Sequence, residues 1–136
     1  MSTPCPCESG RPYADCCAPL HAGAPAPDAE RLMRSRYSAF VLGRRDYLLA
    51  SWHPDTRPAE LPLEPARRWL GLSVRAHQPL GEDAAVVEFV ARSRVGGGRA
   101  ERLHERSRFR RLGGHWLYLD GELDPAGPAP AARRRP

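Results

Sequence analysis

The chain has 136 residues and four cysteines, all of which lie between Cys5 and Cys17. Cys5 and Cys7 form a C-x-C pair, and Cys16 and Cys17 are adjacent, with glycine and proline in the spacer between the pairs. Such a spacer lets the chain double back, so that two sulfurs from each arm can contact one ion at about 2.3 Å. Four soft thiolates favour Zn²⁺ and leave no open coordination position for a substrate. The sequence therefore predicts a structural zinc site.

Disulfides are the alternative, because four cysteines can pair in three ways. This alternative is weaker, since a bond between Cys16 and Cys17 would be strained and any other pairing would close a very short loop. Residues 1–30 hold no basic segment followed by an apolar run. We therefore expect no signal peptide, a cytoplasmic location and reduced thiols. The apolar runs are too short for a membrane span.

The net charge does not require a nucleic-acid partner. The formal charge is +5, and every basic residue is an arginine. Four thiolates with one Zn²⁺ lower this charge to about +3. Three of the positive charges are Arg133, Arg134 and Arg135, at the end of the chain.

Composition divides the chain into four parts: a cysteine knuckle (1–19), an Ala/Pro linker (20–27), a folded domain (28–124) and a Pro/Arg-rich tail predicted to be disordered (125–136). Within the domain, Asp28 is the predicted N-cap of a helix that runs to Leu42 and ends at Gly43. A second helix is predicted over roughly 45–52, before Pro54.

From Trp69 onward, apolar residues recur at every second position instead of at helical spacing. Strands are predicted over 69–77, 84–95, 99–112 and 115–121, separated by turn or glycine segments at 79–83, 96–98 and 113–114. Two helices followed by an antiparallel meander predict an α+β fold, with the helices packed on one face of a curved sheet.

Two charged side chains are predicted to point into this core. Arg36 lies inside the apolar arc of the first helix, on the opposite side from Ser35 and Ser38. In the third strand one face holds Glu105 and its neighbours at a spacing of two (Leu103, Ser107, Phe109), and the other holds His104, Arg106, Arg108 and Arg110. Because an isolated buried charge is very costly, we expect Arg36 to pair with Glu105, or alternatively with Glu88.

Further pocket candidates are ring-bearing side chains, for each of which core packing is the simpler role. They are Tyr37, Trp52, His53, Trp69, His77, Trp116 and Tyr118. His53, before Pro54, is expected to hydrogen-bond the last carbonyls of the second helix. No catalytic residue is assigned, because no Ser/His/Asp or Cys/His set can be assembled.

The outward arginines Arg106, Arg108, Arg110 and Arg111 could contact phosphates, but a solvated sheet face or an oligomer surface is the commoner role of such a stripe. A nucleic-acid partner is therefore not favoured. A homodimer through this face would need acidic groups such as Glu88 or Glu101 to offset the arginines.

The knuckle resembles the SEC-C motif, known best as the zinc-binding tail of the Sec translocase motor ATPase. The blocks at 33–40 (MRSRYSAF), 52–54 (WHP), 69–72 (WLGL), 105–109 (ERSRF) and 116–121 (WLYLDG) resemble the YchJ family, over about residues 4–122. The resemblance implies a nuclear transport factor 2-like cone behind a zinc knuckle, with Cys5, Cys7, Cys16 and Cys17 as ligands.

The chain departs from the family pattern in two places. Glu8 stands where the motif usually has glycine; if that position needs a positive φ, glutamate costs roughly 1 kcal/mol there. Family members also often carry a second SEC-C copy at the C-terminus, where this chain has its Arg/Pro tail.

The preferred interpretation is a non-catalytic zinc-binding adaptor whose knuckle contacts a protein partner. The alternative is a small-molecule binding protein, or an isomerase or hydratase that uses Glu105 or His53 in the conical pocket.

Overall fold

The computed structural model of the chain describes residues 3–125. Three helices, α1 (Cys17–His21), α2 (Ala29–Leu42) and α3 (Arg45–Ala50), precede four strands, β1 (Arg67–Pro79), β2 (Ala84–Val95), β3 (Ala100–Leu112) and β4 (His115–Leu123). The strands form one antiparallel sheet in chain order, so the predicted α+β architecture is confirmed. The predicted tail, apart from Pro125, lies outside the described residues.

Helix α2 begins and ends as its sequence predicts. The Asp28 side chain accepts a hydrogen bond from the Arg31 N–H at 2.8 Å, and Gly43 ends the helix in the left-handed region with a φ of 71°. The apolar face packs on the sheet, and Ser35 and Ser38 on the opposite face are fully buried as well. They are buried because the cysteine segment and α3 cover that side of the helix.

Helix α3 ends at Ala50, two residues before the predicted end. Trp52 instead forms a parallel bridge with Tyr118 of β4, and the His53 N–H donates to the Tyr118 carbonyl at 2.7 Å. The following Pro54 also disfavours a helical conformation at His53. The segment after α3 thereby brings Trp52 against β4.

The sheet curves around α2. Its register shifts between Trp69 and Gly71, between Val74 and Ala76, and between Arg108 and Phe109, and such bulges bend and twist a strand. The concave face packs against α2 through apolar side chains that include Leu72, Val87, Phe89 and Phe109. Within the described range, no helix is both long and apolar enough to cross a bilayer.

Candidate functional site

The four cysteines converge as their spacing predicts. All are buried and none is in a disulfide, and their sulfur atoms lie within 4.8 Å of one another. Cys7 Sγ lies 3.6 Å from Cys16 Sγ, and Cys16 Sγ lies 4.0 Å from Cys17 Sγ. Four thiolates at about 2.3 Å from a tetrahedral zinc ion lie about 3.8 Å apart. The cluster therefore fits one tetrahedral metal ion.

The pKa values of the Cys7 and Cys17 thiols are shifted in opposite directions. The hydrogen bond from Cys17 holds the pKa of Cys7 well below its usual range, although burial opposes this shift. The same bond, together with burial, raises the pKa of Cys17. A divalent cation offsets the repulsion among several thiolates, and this is the condition under which all four sulfurs become ligands.

The cysteine segment is attached to α2 by polar contacts. Arg34 Nη1 donates to the Cys7 carbonyl at 2.8 Å, and Cys5 Sγ lies 3.5 Å from Ser38 Oγ. Sequence reasoning placed Ser38 opposite the apolar face of α2 and did not assign it a contact. The metal cluster is therefore packed against the domain through the serine-bearing side of α2.

A second attachment runs through His21 at the end of α1. His21 Nε2 lies 2.8 Å from the Ser35 carbonyl, which can only accept, so Nε2 carries the proton. Nδ1 must then accept from the Tyr13 hydroxyl at 2.7 Å. Burial lowers the pKa of His21, in agreement with this neutral tautomer. Helix α1 was not predicted, because five residues are too few for a periodic pattern.

Glu8 adopts a φ of 64°, so the positive φ considered for this position is confirmed. Its carboxylate reaches across to β1, where Oε2 would lie 3.2 Å from a Cβ placed on Gly71. A glycine at position 71 therefore gives the Glu8 side chain room beside the sheet.

The second feature is a cavity of about 240 Å³ between α2 and the concave face of the sheet, called the inner cavity below. Seven aromatic side chains line it: Tyr37, Phe40, Trp52, Trp69, Phe89, Phe109 and Tyr118. Arg36, Glu105 and Ser107 supply its charged and hydroxyl groups. Of the predicted pocket residues, Tyr37, Trp52, Trp69 and Tyr118 line the cavity, whereas His77 and Trp116 do not.

Arg36 points inward as expected, with 7% of its surface exposed. The expected direct pairing with Glu105 or Glu88 is wrong, because Arg36 Nη1 donates instead to the Leu48 carbonyl at 2.8 Å and to Ser51 Oγ at 2.7 Å. The guanidinium carbon lies 4.9 Å from the ring centroid of Trp52 and 4.6 Å from that of Tyr118. Burial lowers the pKa of Arg36 to about 10, which leaves it protonated at neutral pH.

Glu105 is held by two hydroxyl groups instead of by an arginine. Ser107 Oγ and the Tyr118 hydroxyl donate to its Oε2 at 2.7 and 2.9 Å. The carboxylate passes over Gly121 of β4, where a Cβ would lie 2.8 Å from Glu105 Cγ. Ser107 lies on the same strand face as Glu105, and a glycine inside a strand, such as Gly121, often marks the close approach of another group. The sequence therefore contained a signal for both Ser107 and Gly121 as neighbours of Glu105.

Two other predicted pocket residues lie elsewhere. Glu88 is on the outer face of the sheet, where its carboxylate contacts His104 at 2.7 Å and Arg106 at 3.3 Å. His53 does not hydrogen-bond the last carbonyls of α3. Its Nδ1 accepts from the Asp55 N–H at 3.0 Å, in the turn that follows Pro54.

Two arginines of the predicted outward stripe have acidic partners on the outer face. Arg106 lies near Glu88 and Glu122, and Arg108 pairs with Asp120. The expected outward position of Arg111 is wrong, because Arg111 lies opposite the core residue Trp116 in the neighbouring strand and over its ring, and it pairs with Asp83. The preference against a nucleic-acid partner stays a prediction. The homodimer through this face stays a prediction.

Comparison with known proteins identifies both parts of the chain. Residues 28–121 match the family described as "YchJ, middle NTF2-like domain", and residues 1–19 match the SEC-C motif. A UPF0225 protein of Methylibium petroleiphilum is 64% identical over 125 residues, which cover 90% of this chain and 91% of that protein. A UPF0225 protein of Xanthomonas campestris is 60% identical over 119 residues, covering 86% of this chain and 92% of that protein.

Two solved structures are similar over most of the chain. The solution structure of a SEC-C motif containing protein from Rhodopseudomonas palustris has a TM-score of 0.79 at 38% identity and covers 90% of this chain and 98% of that one. The crystal structure of a SEC-C motif containing protein from Psychrobacter arcticus has a TM-score of 0.73 at 30% identity and covers 97% and 89%. The chain therefore belongs to the UPF0225 (YchJ) family, with a SEC-C motif preceding a nuclear transport factor 2-like domain.

Proposed function

We propose that this protein is a cytoplasmic, non-catalytic zinc-binding adaptor whose knuckle contacts a protein partner. The main observation that supports this proposal is the closed cluster of four buried sulfurs. Such a donor set suits Zn²⁺ and leaves no position at which a substrate could bind the metal. A reducing compartment would keep all four thiols available as ligands.

The attachment to α2 supports a role in presenting a fixed surface. The contacts of Arg34 with Cys7 and of His21 with Ser35 limit movement of the knuckle relative to the domain. Within the knuckle, Gly10, Arg11, Ala14 and Asp15 are exposed. These residues form the candidate contact surface, called the outer knuckle surface below.

The test changes the outer knuckle surface without touching the cysteines. Removal of residues 1–20 would uncover the buried serines of α2, so the variant Ala14→Arg is preferable. Arg99→Glu, at an exposed position in the β2–β3 turn, is the control. Each zinc-loaded protein serves as bait in affinity capture with crosslinking from an extract of the source bacterium. We expect a partner that wild type and the control capture and that Ala14→Arg loses. Equal capture by all three proteins, at equal zinc content, would contradict the adaptor role.

The inner cavity favours small-molecule binding as a second function. Of the two residues expected to serve an isomerase or hydratase, His53 does not line the cavity, and Glu105 is held by the Ser107 and Tyr118 hydroxyls. Binding without turnover is therefore the better-supported use of this cavity.

A further inference from the structure

The inner cavity contains unused hydrogen-bond donors. Arg36 donates only through Nη1, and among the described residues no hydrogen bond involves its Nε or Nη2. The indole Nε1–H of Trp52 is buried and has no acceptor within the same range. An unpaired buried donor such as the Trp52 Nε1–H costs free energy. The Nε and Nη2 of Arg36 are not among the fully buried atoms, so a ligand in the cavity can supply acceptors to them.

The charges favour an acidic ligand. Arg36 is buried and lies against the faces of Trp52 and Tyr118, without a carboxylate within ion-pair distance in the described chain. Glu105 is the nearby acid, but Ser107 and Tyr118 already hold its Oε2. A guanidinium edge with free N–H groups matches the planar fork of a carboxylate.

The walls and the size restrict the remainder of the ligand. Seven aromatic side chains line the cavity. Aromatic pairs prefer tilted or offset contacts, and a ring in the ligand can form such contacts with these side chains. The volume of the cavity is about 240 Å³. It is smaller than most drug-sized pockets, which begin at about 300 Å³. A single ring with a short acidic chain fits this space.

We propose that the inner cavity is a binding site for a small aromatic carboxylate, whose acid group binds the free edge of Arg36 and whose ring packs among the aromatic side chains. This site is separate from the metal cluster, and the proposal rests on the second function, small-molecule binding in the inner cavity, and not on the adaptor role of the knuckle.

The test compares three probes of nearly equal shape, measured with the zinc-loaded full chain by calorimetry and ligand-observed NMR. The probes are 3-phenylpropionate, the neutral 3-phenylpropanamide and the cationic 3-phenylpropylamine. We expect the carboxylate to bind about tenfold more tightly than the amide, because its hydrogen bonds to Arg36 are charge-assisted. The amine should bind least, since Arg36 repels it.

A charge variant separates this site from non-specific binding. Glu105→Gln removes a negative charge near the bound acid, so it should raise the affinity for 3-phenylpropionate severalfold and leave that for the amide almost unchanged. Glu82→Gln removes the same charge from an exposed turn and is the control. Arg36→Met should abolish the preference for the acid, but it can also impair folding, so Glu105→Gln is the decisive variant. Equal affinities for the three probes, a preference for the amine, no saturable binding, or no effect of Glu105→Gln would each overturn the proposal.

Discussion

Arg36 and Glu105 are connected by Tyr118 and not by an ion pair. The Arg36 guanidinium carbon lies 4.6 Å from the ring centroid of Tyr118, and the hydroxyl of the same ring donates to Glu105 Oε2 at 2.9 Å. Burial, followed by the negative charge of Glu105, raises the pKa of Tyr118, so the hydroxyl remains a donor. One ring thus contacts a cation with its face and an anion with its hydroxyl.

Replacing Tyr118 by phenylalanine should destabilise the fold. The variant keeps the ring against Arg36 but leaves Glu105 with Ser107 as its remaining donor. Hydrogen bonds to charged groups contribute about 1.5–3 kcal/mol, and partial exposure of Glu105 lowers the expected loss to about 1–2 kcal/mol. Urea unfolding of Tyr118→Phe, Glu105→Gln and the double variant measures the coupling. Additive effects of the two changes would contradict this connection.

Gly121→Ala should displace Glu105. The new Cβ would lie 2.8 Å from Glu105 Cγ, so the carboxylate would have to leave its two hydroxyl donors. We expect a loss of about 1–3 kcal/mol in the free energy of unfolding. The loss should be much smaller in a Glu105→Ala background, where the obstructing side chain is absent. Gly97→Ala, with open space around its Cβ, is the matched control. An equal loss in both backgrounds would show that the close approach to Glu105 is not the cause.

Removal of one sulfur should remove the metal. Cys7 is fully buried at the centre of the cluster, and Cys7→Ser replaces a soft ligand by a hard one. We expect about one zinc ion per chain in the wild type and less than stoichiometric zinc in the variant, measured by elemental analysis. Ser38→Ala should keep all four sulfurs and one zinc ion while binding it roughly 10-fold more weakly, because Ser38 contacts Cys5. Wild-type protein purified without metal loss but lacking zinc would refute the assignment.

Glu8→Gly should stabilise the knuckle. A left-handed conformation costs an L-residue about 1–2 kcal/mol, and the extra freedom of glycine in the unfolded chain offsets part of that gain. The expected net gain is about 0.5–1 kcal/mol in urea unfolding at saturating zinc. Glu8→Ala keeps the strained backbone and loses the carboxylate near Gly71, so it should not be stabilised. The strain argument fails if the two variants are equally stable.

The sequence predicts those parts of the structure that depend on local signals. Cysteine spacing, the Asp28 N-cap, the Gly43 end of α2 and the extent of β2 each follow from neighbouring residues, and all are observed. The inward direction of Arg36 and Glu105 also follows, because helix and strand periods assign each a face.

The partners of these side chains could not be predicted in the same way. Arg36 contacts the Leu48 carbonyl and Ser51 because α3 turns back across α2, and this depends on tertiary packing. Ser35 and Ser38 are buried because the knuckle packs onto the polar face of α2. The helical periodicity of the sequence did not assign this face to the core or to a binding site. A single sequence indicates which face of a helix or strand a side chain occupies. The residues that this side chain contacts depend on how the helices and strands pack against one another.

His21 should make the stability of the fold pH-dependent. Burial lowers its pKa below the ordinary value of about 6.5. The unfolded chain therefore binds a proton at a higher pH than the folded chain does. The contribution of His21 is complete above about pH 6.5 and is lost as the pH falls toward its lowered folded pKa. Protonation of Nδ1 would also remove the acceptor of the Tyr13 hydroxyl.

The measurement is urea unfolding between pH 7.5 and 5.5 at saturating zinc, for wild type and His21→Gln. Glutamine retains an N–H for the Ser35 carbonyl and does not titrate, so the wild type should lose more stability over this range, by up to about 1.4 kcal/mol per pH unit. Proton competition for the thiolates affects both proteins alike, and their difference therefore isolates the histidine. His115→Gln, at an exposed position, is the control and should follow the wild type. If His21→Gln loses as much stability as the wild type on acidification, the neutral His21 bridge between Tyr13 and Ser35 does not contribute to the pH dependence.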